Sequence, residues 1–248
     1  MFSGKKAIIF DLDGTLIDSV GVWNDVDREL VRRLGGGEQD GDALQHQRDD
    51  VLRRYAADSN PYGQYCAFLK RKYGTSLTAD EVHDLRYRIA GDFLVNVVDY
   101  KPGAQEFLRE LKSRGFLLSI ATTTRRRTVD IYRTLNKNLL GKAPLDEFFH
   151  PIFTREDVTC MKPHPQVYAK VMKILNVTES DCLIFEDSLI GVESARNAGI
   201  QCVAVYDRYS DGEREKIESL ADWNAEDYPQ LLDLLRRETG EGSSPASR

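Results

Sequence analysis

Hydrophobic residues change their spacing along the chain, and the change predicts two kinds of structure. Residues 5–10 contain the apolar run Ala7-Ile8-Ile9, which is typical of a strand buried on both faces. From Asp18 to Val98 every segment has helical spacing and many charged side chains. After Pro102, helical segments alternate with short apolar runs, as in a parallel α/β sheet. Because the first strand finds parallel neighbours only beyond residue 116, we expect the helical segments to be an insertion into an α/β domain.

The individual elements follow from these spacings and from the residues that begin and end helices. The insertion is expected to contain four helices, at about residues 20–34, 42–57, 62–73 and 78–96. The fourth begins with Thr78-Ala-Asp-Glu81, a capping box in which both side chains satisfy free backbone amides. The α/β part is expected to contain helices at 104–114, 125–135, 166–175, 189–198 and 228–237, and strands at 117–122, 151–153, 182–185 and 202–206.

Composition and charge argue against several classes of protein. With 248 residues, of which 41% are hydrophobic, the chain can bury one large core or two smaller ones. Its net charge of −6 argues against nucleic acid as a partner, and it has no run of 18 apolar residues that would span a membrane. The N-terminus has no signal-peptide pattern and the cysteines have no metal-type spacing, so we expect a reducing, cytoplasmic location with Cys182 and Cys202 as buried thiols.

Two carboxylates follow the first strand. Residues 10–16 read Phe-Asp-Leu-Asp-Gly-Thr-Leu, which places Asp11 and Asp13 where the strand should end. Ligands of open α/β sheets bind beyond the carboxyl ends of the strands, and residues two apart on an extended chain point to the same side. Two acids this close are unfavourable unless a proton or a cation joins them, and Mg²⁺ is the simplest cation that binds carboxylates and phosphate. Gly14 then permits a tight turn.

The motif Asp-Leu-Asp-Gly-Thr resembles the first motif of the haloacid dehalogenase superfamily. In the phosphatase branch of that superfamily the first acid is the nucleophile and the second is the general acid/base, which assigns these roles to Asp11 and Asp13. The resemblance also implies the fold: a Rossmann-like α/β core of parallel strands, here residues 1–16 and 100–238, with an all-helical cap domain inserted at 17–99. In that superfamily the cap closes over the site and contacts the substrate, so the same role is expected of residues 17–99. Residues 239–248 are expected to be a flexible polar tail.

A candidate phosphate site follows the second strand. A hydroxyl and free backbone amides at a strand-to-helix turn can bind phosphate, and Thr122 and Thr123 lie at such a turn. They resemble the second motif of the family, in which the hydroxyl and the next amide hold the phosphoryl group. Arg125 is the nearest of three consecutive arginines and a further candidate, because cations at the start of a helix suggest an anion nearby, either substrate or acids of the cap. A solvated basic turn is the alternative.

Two later segments resemble the remaining motifs. Lys162, in Met-Lys-Pro-His-Pro, resembles the lysine that stabilises the aspartyl phosphate. Glu186 and Asp187 begin Glu-Asp-Ser-x-x-Gly at the end of a strand, which resembles the fourth motif of β-phosphoglucomutase-like and sugar-phosphate phosphatase-like members. The expected Mg²⁺ ligands are therefore Asp11, Asp13, Asp187 and Glu186, the last either directly or through water.

The four motifs together predict a Mg²⁺-dependent phosphoric monoester hydrolase that acts on a small phosphorylated metabolite through an aspartyl phosphate, as a monomer or weak dimer. A β-phosphoglucomutase-type phosphomutase is the first alternative, because the cap chooses the phosphate acceptor. The Gly/Arg specificity loop of those mutases has no convincing match in residues 35–75, which favours the hydrolase. The second alternative is a catalytically silent protein that binds a phosphorylated ligand, although such a protein would not need both Asp11 and Asp13.

Overall fold

The structure, a computed structural model, describes residues 1–55 and 60–238. The chain divides into two compact units, one formed by Met1–Asp18 with the chain from Asp99 onward and the other by Ser19–Val98. The predicted end of the second helix at residue 57 and the predicted tail at 239–248 lie outside the described residues. None of the helices within the described ranges is long and apolar enough to cross a membrane.

The unit Ser19–Val98 is helical, and we call it the helical insertion. Its helices are α1 (Val22–Arg33), α2 (Gly41–Arg54), α3 (Pro61–Tyr73) and α4 (Ala79–Asn96). The predicted capping box is confirmed, since the Thr78 hydroxyl accepts from the amide of Glu81 at 3.2 Å and the Glu81 carboxylate accepts from the amide of Thr78 at 2.7 Å. The helices pack on apolar side chains that include Val26, Leu30, Tyr65, Cys66, Leu69, Val82 and Ile89.

A buried ion pair crosses the interior of the helical insertion. Asp27 on α1 and Arg86 on α4 are 0% and 2% exposed, and the Nε of Arg86 donates to the Oδ1 of Asp27 at 2.6 Å. Arg48 on α2 donates to the other carboxylate oxygen at 2.8 Å. The ring of Trp23 lies 4.7 Å from the guanidinium of Arg86. These contacts tie three helices together through one carboxylate.

The other unit is built on a parallel sheet. Its strands in the described residues are β1 (Ala7–Phe10), β2 (Leu117–Ala121), β3 (Ile152–Phe153), β4 (Cys182–Glu186), β5 (Gln201–Val205) and β6 (Trp223–Ala225), in the order β3-β2-β1-β4-β5-β6. Phe10 of the central strand β1 pairs with Ile120 on one side and Phe185 on the other. The predicted strands are confirmed within a residue or two, and β6 is an addition, because a three-residue strand with a polar centre leaves little signal in the sequence.

Helices surround this sheet, and we call the whole unit the α/β core. They are α5 (Ala104–Ser113), α6 (Arg126–Thr134), α7 (Lys137–Lys142), α8 (Leu145–Phe148), α9 (Gln166–Leu175), α10 (Leu189–Asn197), α11 (Arg214–Leu220) and α12 (Tyr228–Glu238). The short helices α7, α8 and α11 are not predicted by the sequence pattern. Phe10 of β1 stacks on Phe185 of β4 with ring centroids 4.9 Å apart, and Phe107 of α5 packs edge-on against both.

The segments that lead into and out of the insertion are neighbours within the α/β core. The amide of Asp18 donates to the carbonyl of Asp99 at 3.0 Å, and the amide of Lys101 donates to the carbonyl of Leu16 at 2.9 Å. The chain therefore leaves the core and returns to it at nearly the same point.

Candidate active site

Four of the predicted site residues lie at the carboxyl ends of three neighbouring strands. Asp11 follows β1, Thr122 follows β2, and Glu186 is the last residue of β4 with Asp187 next to it. The sheet order reverses direction between β1 and β4, because the chain builds outward through β2 and β3 and then continues on the other side of β1. Such a reversal at the carboxyl edge of a parallel sheet leaves a crevice in which ligands of this fold class bind.

Three carboxylates meet in this crevice. Asp11, Glu186 and Asp187 are 8%, 0% and 7% exposed, and one oxygen of each lies within 4.8 Å of the others. Oxygen ligands at this spacing suit a hard divalent cation such as Mg²⁺. The group does not include the carboxylate of Asp13.

Lys162 joins two of these acids. Its Nζ donates to the Oδ1 of Asp11 at 2.7 Å and to the Oε1 of Glu186 at 2.5 Å. Burial acts to lower the pKa of Lys162, but the charges of Asp11 and Glu186 outweigh it and raise that pKa well above its ordinary value. The lysine is therefore a fixed positive charge beside the Asp11 carboxylate.

Three side chains donate to the carboxylate of Glu186. Its Oε1 accepts from Lys162 and, at 3.2 Å, from the hydroxyl of Tyr168 on α9, while its Oε2 accepts from the hydroxyl of Ser188 at 3.2 Å. Burial raises the pKa of Glu186, and Lys162 opposes that rise. A Cβ on Gly191 would lie 2.0 Å from the carboxyl carbon of Glu186, so the motif glycine leaves the space that this carboxylate fills.

Asp187 occupies the other side of the group. The Thr15 hydroxyl donates to its Oδ1 at 2.6 Å, and a Cβ on Gly14, whose φ is +86°, would lie 2.5 Å from its Oδ2. Burial raises the pKa of Asp187 well above its ordinary value, and the charges of Glu186 and Asp11 raise it further. Three acids with one lysine carry surplus negative charge, which a divalent cation would neutralise, so the donor set fits the predicted metal.

The carboxylate of Asp13 accepts from two hydroxyl groups. Its side chain is half-buried, its Oδ2 accepts from the hydroxyl of Thr124, and its Oδ1 accepts from the hydroxyl of Tyr132 at 3.0 Å. These donors come from the turn after β2 and from α6. The structure thus brings Asp11, Lys162, Glu186 and Asp187 into one group and places the Asp13 carboxylate among hydroxyls.

The turn after β2 orders the phosphate candidates. Thr122 is buried, and its hydroxyl oxygen accepts from the amide of Thr124 at 3.1 Å. Thr123 is partly buried, and Arg125 precedes α6 with an exposed side chain. No hydrogen bond or ion pair within the described ranges joins Arg125 to the acidic group, so its role stays a prediction.

Arg126, the residue after Arg125, has acidic partners close by. The Arg126 side chain pairs with Asp157 at 2.5 Å and its amide donates to Glu156 at 2.8 Å. Both acids belong to the 3₁₀ turn Arg155–Asp157 of the α/β core, so the acids beside this arginine are core residues rather than residues of the insertion.

Comparison with known proteins decides the family. The family model described as haloacid dehalogenase-like hydrolase matches residues 8–205, which include all four motifs and the insertion. The chain belongs to this family. Protein CbbY of Rhodobacter capsulatus is 30% identical over 90% of this hydrolase and 93% of its own length. The phosphorylated carbohydrates phosphatase of Thermotoga maritima is 28% identical over 79% of this hydrolase and 82% of its own length.

A solved structure supports the same fold. CbbY from Rhodobacter sphaeroides in complex with phosphate superposes with a TM-score of 0.64 and 24% identity, covering 92% of this hydrolase and 96% of that chain. The expected architecture, a Rossmann-like α/β core with an inserted helical domain, is therefore confirmed, and the chain is a haloacid dehalogenase-like hydrolase.

Sequence reasoning missed four side chains that hold the site. Thr15 and Thr124 had a usable signal, because they lie inside or beside the first and second motifs. Tyr132 and Tyr168 had none, because they reach the site from the interior of helices whose sequence spacing only indicates burial.

Proposed function

We propose that this hydrolase is a Mg²⁺-dependent phosphatase that cleaves a phosphate monoester of a small, carbohydrate-like metabolite through an aspartyl phosphate on Asp11. The observation that carries the proposal is the buried Asp11 carboxylate, 2.7 Å from Lys162 and grouped with Glu186 and Asp187. The relative named a phosphorylated carbohydrates phosphatase supports the substrate class.

Mg²⁺ would be held by Asp11 and Asp187, with Glu186 as a direct or water-mediated ligand. Asp13 remains a proposed further ligand, and its carboxylate, which accepts from Thr124 and Tyr132, is also the proposed group for proton transfer. When bound, the cation neutralises charge on the phosphoryl group and on the attacking carboxylate.

In the first half-reaction, Asp11 attacks phosphorus and the ester oxygen departs in line with it. Lys162 offsets negative charge near the attacking carboxylate, and Thr122 with the amide of Thr123 would hold phosphoryl oxygens. Asp13 donates a proton to the departing oxygen, so the alcohol leaves neutral.

In the second half-reaction, water attacks the phosphorus of the aspartyl phosphate. Asp13, now a carboxylate, takes a proton from that water, and the bond between phosphorus and Asp11 breaks. Phosphate leaves and Asp11 is restored, so the balance is one ester and one water converted to one alcohol and one phosphate.

The test is phosphate release from a panel of small phosphorylated metabolites, with Mg²⁺ and with EDTA, for the wild type and Asp11→Asn. We expect release that needs Mg²⁺, and a loss of at least about a thousandfold in Asp11→Asn with the fold retained, as measured by circular dichroism. Asp233→Asn, which alters an exposed acid on α12, is the matched control and should retain full activity.

Each other outcome points to a stated alternative. Conversion of a sugar 1-phosphate to its isomer without phosphate release would replace the hydrolase with a phosphomutase. Binding of a phosphorylated ligand without turnover would indicate a silent binding protein. Activity of Asp11→Asn near that of the wild type would remove Asp11 as the nucleophile.

A further inference from the structure

We propose that Tyr132 and Thr124 are positioning residues that hold the carboxylate of Asp13 in the orientation needed for proton transfer. This inference rests on the proposed function, in which Asp13 is the general acid and then the general base.

The two hydroxyls fix both ends of one carboxylate. Tyr132 donates to the Oδ1 of Asp13 at 3.0 Å, and the hydroxyl of Thr124 donates to the Oδ2. An aspartate side chain has two rotatable bonds, so a donor on each oxygen restricts both of them. Since misplacing a reacting group by about 1 Å can cost about a hundredfold in rate, such restriction has a direct effect on catalysis.

The donors are themselves held firmly within the α/β core. Tyr132 is 1% exposed and lies on the buried face of α6 with Val129, one turn before it. The backbone of Thr124 is fixed on both sides, because its amide donates to the hydroxyl oxygen of Thr122 at 3.1 Å and its carbonyl accepts from the amide of Arg155 at 3.0 Å. The burial of the Tyr132 ring and the fixed backbone of Thr124 therefore limit how far either hydroxyl can move.

Hydroxyl groups also suit a residue that changes its protonation state during the reaction. A hydroxyl donates to a carboxylate and can turn to accept from a carboxylic acid, whereas a lysine or arginine can only donate. The pair Tyr132 and Thr124 can therefore hold Asp13 in both half-reactions. Asp13 is half-buried, so solvent reaches part of this residue while the two hydroxyls restrict the orientation of its carboxylate.

A packing role makes a different prediction from a positioning role. Phenylalanine at 132 would keep the ring and its burial, and valine at 124 would keep the volume of threonine. If the hydroxyls only stabilised the fold, their removal would lower the unfolding temperature and reduce activity on all substrates equally. If the hydroxyls position Asp13, the loss of rate in the first half-reaction is larger for a substrate whose leaving group needs a proton.

The experiment compares Tyr132→Phe and Thr124→Val with the wild type on two substrates. The first is p-nitrophenyl phosphate, whose leaving group needs no proton, and the second is the best alkyl phosphate from the metabolite panel. Steady-state kcat and KM are measured on both, and the burst of p-nitrophenol is measured by stopped flow.

We expect kcat for the alkyl phosphate to fall about 10- to 100-fold in each variant, with KM within about twofold. The p-nitrophenol burst should stay within about twofold of the wild type, while the slower steady-state rate falls because the second half-reaction still needs Asp13. Thr124→Ser keeps the hydroxyl and should retain most of the activity.

Tyr100→Phe is the matched control, because it removes another buried hydroxyl of the α/β core, one that donates to the carbonyl of Ala143. Tyr100→Phe should leave the ratio of kcat for the alkyl phosphate to kcat for p-nitrophenyl phosphate unchanged. A p-nitrophenol burst rate that falls in Tyr132→Phe as far as kcat for the alkyl phosphate, or no loss in either quantity, would overturn the positioning role while the proposed phosphatase stands. A wild type without phosphatase activity would overturn both.

Discussion

The carboxylate of Asp187 is the least favourably placed charge in the candidate site. It is 7% exposed, and burial and then the charges of Glu186 and Asp11 raise its pKa well above the ordinary value of 3.8. The folded protein therefore holds a proton on Asp187 more tightly than the unfolded chain does. Stability without metal must fall as pH rises from about 4 through the raised pKa.

Asp187→Asn should remove this cost, because asparagine is neutral and its side-chain oxygen can still accept from Thr15. In EDTA at pH 7.5 we expect the variant to unfold a few degrees higher than the wild type, since about 1 kcal/mol corresponds to about 2–4 °C in a chain of this size. The difference should shrink towards pH 4.5. Thermal unfolding at both pH values measures it.

Adding Mg²⁺ provides the control for Asp187. The cation should raise the unfolding temperature of the wild type and leave that of Asp187→Asn nearly unchanged, because the variant lacks one of its ligands. A variant that is less stable than the wild type at both pH values in EDTA would contradict the charge argument.

Motif spacing located the charged members of the site and failed for their neutral partners. Asp11, Glu186 and Asp187 could be brought together because each lies at a predictable strand end, and Lys162 was placed with them by its resemblance to the third motif. The hydroxyls of Tyr132 and Tyr168 could not be placed in the site from the sequence. Helical spacing predicts that a tyrosine is buried, but it does not predict which polar group the hydroxyl contacts.

At the scale of elements, long periodic segments were predictable and short ones were not. The strands β1, β2, β4 and β5 have continuous apolar runs, and helices such as α9 repeat their apolar positions over several turns. The helix α8 has four residues and the strand β6 has three, so neither completes enough of a period to be distinguished from a loop.

The buried pair of Asp27 and Arg86 joins the first and last helices of the insertion. Arg86→Met should leave the Asp27 carboxylate buried with Arg48 as its remaining partner, and we expect the insertion to lose about 3 kcal/mol of stability. The measurement is urea unfolding followed by circular dichroism.

Arg28→Ala is the control for this pair. Arg28 lies on the same helix α1 and pairs with Asp25 at 2.7 Å, but both side chains are more than two-fifths exposed, so its loss should cost at most about 1 kcal/mol. Equal losses in the free energy of unfolding for Arg86→Met and Arg28→Ala would show that burial does not increase the contribution of the Asp27 pair to stability.

At the scale of the molecule, the insertion begins and ends at one place. Because Asp18 and Asp99 are joined by a backbone hydrogen bond of 3.0 Å, two residues of Gly-Ser could replace Ser19–Val98 without moving the ends of the α/β core. We expect the shortened chain to keep its sheet and unfold cooperatively, as measured by circular dichroism and calorimetry. A chain without a cooperative transition would show that the core depends on the insertion.

The pairing of β1 also has a consequence for synthesis of the protein. This strand pairs with β2 and β4, and the nearer of them begins at Leu117, more than 100 residues later. At about 5–20 residues per second, the ribosome leaves the apolar run of β1 without partners for roughly 5–20 s. Lys5 and Lys6 before it and Asp11 and Asp13 after it are charges of the kind that block aggregation. The acids proposed for catalysis therefore also place charge directly beside an apolar run that is left without partners during synthesis.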